Sequence, residues 1–84
     1  MTDDLTRKII SWAGQIASRA AALPSRQERD FYLTERQREL IAGAVQEGAN
    51  SRDAAILAEA CVSAARRIMT ELLARQAGVP QGRA

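Results

Sequence analysis

The stretch from Asn50 to Ala77 reads as one long helix, and it constrains the fold more than any other part of the chain. At 1.5 Å per residue such a helix spans roughly 40 Å, longer than a domain of this size is wide. Asn50 or Ser51 is placed to cap its start, Asp53 complements the dipole of the first turn, and Gly78 followed by Pro80 predicts its stop. Set out at 100° per residue, Ala54, Leu57, Ala58, Cys61, Val62, Ala64, Ala65, Ile68, Met69, Leu72 and Leu73 occupy an arc of about 180°. An ordinary surface helix shows a stripe of about 100°. The middle of the arc is small (Ala54, Ala58, Cys61, Ala65), with Leu57 and Ile68 on one flank and Val62, Met69 and Leu73 on the other. Small residues let another backbone approach closely, and two bulky flanks predict two neighbours. Helices of this same chain are one way to cover both; a second copy or a partner protein on part of the arc is the other.

Ahead of the long helix, a first one is predicted over about 3–22. Thr2 suits its N-cap, and Asp3 and Asp4 suit its first turn. Leu5, Ile9, Trp12, Ile16, Ala20 and Leu23 recur at steps of three and four, with Ile10, Ala13 and Ala17 widening the stripe. Trp12 reads as a core anchor, the alternative being a partner hot spot, since tryptophan is enriched in both places. Leu23-Pro24-Ser25 ends the helix. Two capping-box spacings follow, Ser25 with Glu28 and Thr34 with Gln37. They predict a short turn at 25–32 and a second main helix at 34–47, or else one bent helix. In either case Phe31, Tyr32 and Leu33 sit at the joint, with Tyr32 falling on the polar side if the helix continues. Leu40, Ile41, Ala44 and Val45 form a narrow stripe, and Gly48 is a natural C′ residue before the reversal into the long helix. The tail 79–84 has nothing to bury and is expected to be disordered.

A chain of 84 residues has room for one domain, placed at 1–78, and buries only about 60–65% of its unfolded surface. Dimerisation would relieve that shortage. Ala, Leu, Arg, Glu and Gln dominate, which is a helical composition. The longest uncharged run near the front, Ile9 to Ser18, is half of what a membrane span needs. An acidic start and one cysteine fit a cytoplasmic protein with neither signal peptide nor disulfide framework. Net charge is +2 with the signs mixed along the chain, and no segment is a basic block of the kind DNA binders display.

Candidate chemistry is sparse. Histidine is absent, Cys61 lies mid-arc as a small hydrophobe, and Asp53, Glu59 and Glu71 are isolated carboxylates. No phosphate-binding loop or metal-ligand spacing is present, so no cofactor is expected and the enzyme class is set aside.

The segment Leu33-Thr34-Glu35-Arg36-Gln37-Arg38-Glu39-Leu40, followed by Gly48-Ala49-Asn50-Ser51-Arg52-Asp53-Ala54-Ala55, resembles the opening of the helix-turn-helix of LuxR-type regulators. The spacing is one residue longer here. Within Leu57 to Ser63, where the motif turns, Cys61 stands in place of the usual glycine and Leu57 in place of the usual alanine; Arg67 takes the buried branched position of the recognition helix. These departures favour an uninterrupted helix.

In size and helix layout the whole chain is similar to the small helical antiactivators of rhizobial quorum sensing, of the QseM type. That resemblance, which rests on no diagnostic motif, implies binding to LuxR-family activators or related activators of conjugative transfer. The combined expectation is an all-α bundle of three helices, four if the short turn stands apart. Its function is expected to be regulatory, by binding and inhibiting a transcriptional activator. The alternatives are a small DNA-binding protein with a degenerate helix-turn-helix and a structural homodimer. Phe31, Tyr32, Ile56, Met69 and Leu73 are the expected partner contacts.

Overall fold

In a computed structural model the chain is all-α, with three helices: α1 (Thr2–Ala21), α2 (Arg26–Gln46) and α3 (Ser51–Gln76). The structure describes residues 2–77, without the side chains of residues 2, 3 and 5. The side chains of Thr2, expected as the cap, and of Leu5 on the seam lie outside that description, as do the stop at Gly78 and Pro80 and the 79–84 tail. No helix among them is long and apolar enough to cross a membrane.

One helix, not a turn followed by a helix, fills residues 26–46. Of the two start signals only the first is used. The Ser25 hydroxyl accepts from the Glu28 amide at 3.1 Å, whereas Thr34 turns its hydroxyl back onto the Asp30 carbonyl at 3.0 Å. A threonine making that i−4 bond sits inside a helix and begins nothing. The joint expected at Phe31–Leu33 is therefore mid-helix, and Leu33 is the one residue of α2 that becomes fully buried. Removing a leucine side chain from water stabilises by about 1.5–3 kcal/mol, and the partly buried Tyr32 and Leu40 of α2 add to that hold on the core.

The two reversals are closed by local chemistry. Arg29 donates to the Leu23 carbonyl at 3.0 Å, satisfying a carbonyl just past the end of α1. After α2, the Gly48 amide donates to Val45 O and the Ala49 amide to Ala44 O, the paired bonds of a Schellman motif. Gly48 supplies the positive φ of 111° that this motif requires. Asn50 then caps α3, accepting from the Asp53 amide at 2.8 Å while donating to the Asp53 carboxylate at 3.1 Å.

Two reversals make α1 and α3 run the same way, with α2 antiparallel to both. The small middle of the α3 arc is the core: Ala54, Ala58, Cys61, Val62, Ala65 and Met69 are buried. Opposite them α1 buries Ala13, Ile16, Ala17, Ala20 and Ala21. Alanine meeting alanine and cysteine brings the two backbones close, and the Cys61 thiol reaches the Ile9 carbonyl at 3.9 Å. The buried face of α1 is thus set by its alanines. Trp12 does not anchor the core; it stands 37% exposed at the edge of the α1 stripe.

Candidate protein-docking surface

Helices α1 and α2 each pack extensively on α3 but touch each other far less. The shortfall opens a groove between them. Trp12, Gln15, Ile16 and Arg19 line it from α1, and Tyr32, Arg36, Glu39 and Leu40 from α2. Tyr32 is also a wall of a second hollow, formed with Leu23, Gln27, Glu28, Phe31 and Glu35. The two hollows join through that one ring. From Trp12 the combined groove follows nine helical steps to the end of α1 at Ala21, roughly 14 Å, and continues to Leu23 in the reversal.

Tyr32 does not lie on the polar side as expected for a continuous helix. It is half-buried against the core, and its hydroxyl is buried with no hydrogen-bond partner among the described residues. The Arg36 guanidinium lies 5.7 Å from the ring centroid, within range of a cation–π contact, and pairs with Glu39. Arg38 pairs with Glu35 at 3.6 Å. Arg19 has no ion-pair partner among the described residues.

The expected contact residues fall into three places. Phe31, 67% exposed, lies in the second hollow, walled by α2 and Leu23 of the reversal, while Tyr32 lines both hollows. Met69 and Leu73 lie in a separate cleft between α2 and α3, with Arg26, Arg29, Asp30, Arg66 and Thr70. Met69 is only 8% exposed and forms the floor of that cleft, so it offers little area of its own. Ile56, 59% exposed, stands thirteen residues before Met69 on α3, or about 20 Å along the axis, and shares neither groove. Ile16 and Leu40 were not legible as groove residues, and Trp12 only as the alternative to a core anchor, because their spacing is equally that of a core seam.

In the α2–α3 cleft Asp30 holds two guanidinium groups, Arg66 at 3.4 Å and Arg26 at 4.0 Å. Arg29 is engaged by the Leu23 carbonyl. Among the described residues no group of three or more His, Cys, Asp or Glu is placed to hold a metal ion. Burial pushes the Cys61 thiol above its ordinary range, which leaves it protonated and unreactive. Helix α3 continues without a break from Ser51 to Gln76, so residues 57–63 do not make the turn a helix-turn-helix requires.

Comparison with protein-family models, curated proteins and solved structures finds no match to this chain.

Proposed function

We propose that this chain is a regulatory interaction module that binds and inhibits a transcriptional activator of the LuxR type or a related one. The observation that carries the reading is the joined apolar groove along α2. Trp12 and Phe31 are exposed on it, Tyr32 walls both halves, and paired charges rim it. Large aromatics exposed in a hollow, with charges displaced to the rim, are the usual makings of a binding hot spot. The class of partner comes from the resemblance to small helical antiactivators. The action proposed is stoichiometric: apolar surface that the activator needs is covered.

Phe31 and Tyr32 are the proposed contacts in the groove, with Met69 and Leu73 in the neighbouring cleft and Ile56 outside both. Co-expression with a tagged LuxR-type activator, followed by purification under nuclease, tests the reading. The activator should retain this protein in a fixed ratio, and a reporter under its control should fall silent. Capture that disappears with nuclease would instead favour the DNA-binding alternative. Self-association with no capture would favour the homodimer.

A further inference from the structure

The cleft between α2 and α3 brings together charge that is scattered along the chain. Arg26, Arg29 and Arg66 line it with a single carboxylate, Asp30, an excess of two positive charges. The chain as a whole holds twelve bases and ten acids, so nine of each remain elsewhere and cancel. The cleft therefore carries a positive excess equal to that of the entire protein. Asp30 cannot neutralise it: the carboxylate is shared between Arg66 and Arg26, and the Arg26 side chain is 90% exposed. Beneath the charges lies an apolar floor made by Met69 and the half-buried Leu73.

We infer that this cleft docks an acidic, leucine-bearing segment of the partner protein, with carboxylates meeting Arg26 and Arg66 and an apolar side chain resting on Met69 and Leu73. Charge complementarity selects the acidic segment. Guanidinium groups bind carboxylates through paired N–H donors, and close pairs of this kind steer association as well as hold it. The apolar floor favours a peptide over a phosphate backbone, which has nothing to place there. This surface is distinct from the α1–α2 groove, and its biological use rests on the proposal that the partner is a protein.

The test uses the full chain and a fluorescein-labelled peptide in which glutamates flank leucines, read by fluorescence anisotropy. A matched peptide with glutamine in place of glutamate should bind at least about tenfold more weakly, and added salt should weaken the acidic peptide. Arg26→Gln with Arg66→Gln should cost about tenfold or more, while Arg67→Gln, exposed on α3 outside the cleft, should leave binding unchanged. Backbone amide shifts on titration should concentrate in residues 26–30 and 66–73. Equal weakening by Arg67→Gln, equal affinity for the glutamine peptide, or displacement by duplex DNA at lower concentration than by unlabelled peptide would each overturn the inference. Activator capture by the double variant separates the two proposals. If the wild type and the variant capture it equally, the cleft is not the docking site and the proposed function stands. If neither captures it, the proposed function fails and the peptide titration still decides the cleft.

Discussion

The Cys61 thiol of α3 lies 3.9 Å from the Ile9 carbonyl oxygen of α1, across 52 positions of sequence. A side chain from one helix reaches the backbone of another only where nothing larger than alanine intervenes. Here the buried cluster joins Ala13, Ala17 and Ala20 of α1 to Cys61 and Ala65 of α3. Ala17→Leu should therefore destabilise by about 1–3 kcal/mol through overpacking, whereas Ala55→Leu on the exposed face should stay within about 0.5 kcal/mol. Urea unfolding followed by circular dichroism measures both; equal midpoints for the two variants would contradict the close seam.

The same burial has a pH signature. Because the folded thiol titrates above its ordinary value of 9.0, the fold favours the protonated form. That contribution is complete below the unfolded thiol's value and is lost as pH rises through the folded one. Stability should fall between neutral pH and about pH 10 more steeply in the wild type than in Cys61→Ala. Parallel curves would remove the thiol from the account.

Helix α2 depends on few residues. Leu33→Ala should cost about 2–5 kcal/mol and release α2 from α3, seen as rapid amide exchange confined at first to residues 26–46. Leu40→Ala, only partly buried, should cost less.

The single start of α2 can be read from its caps. Ser25→Ala should cost about 1 kcal/mol, as should Asn50→Ala at the head of α3. Thr34→Ala should be neutral or slightly stabilising, since its hydroxyl only bends back to Asp30. A loss at Thr34 as large as that at Ser25 would restore a boundary there.

Phe31 separates binding from folding. Exposed as it is, Phe31→Ala should leave the unfolding midpoint unchanged within about 0.5 kcal/mol. Activator capture by that variant should drop by at least about tenfold, as expected for a hot-spot aromatic. A stability loss without a binding loss would make Phe31 a structural residue.

The helices are legible along the chain, because their cause is local. The wide apolar arc of α3, its Asn50 cap, the Gly48 reversal and the buried row Ala54, Ala58, Cys61 and Ala65 follow from the 3.6-residue period and from cap chemistry. Tertiary structure alone decided which of two capping boxes to use and how each helix turned about its axis. Packing alanine faces together on α1 and α3 left Trp12 at a groove, although periodicity had equally suited it to the core. Tyr32 is half-buried against the core, although a continuous helix had placed it on the polar side. Arg66 and Asp30 are 36 positions apart, and nothing local to either says that they meet. Charge that is evenly mixed along the chain becomes concentrated only when α2 folds back along α3, because the antiparallel register places the start of one helix beside the far half of the other.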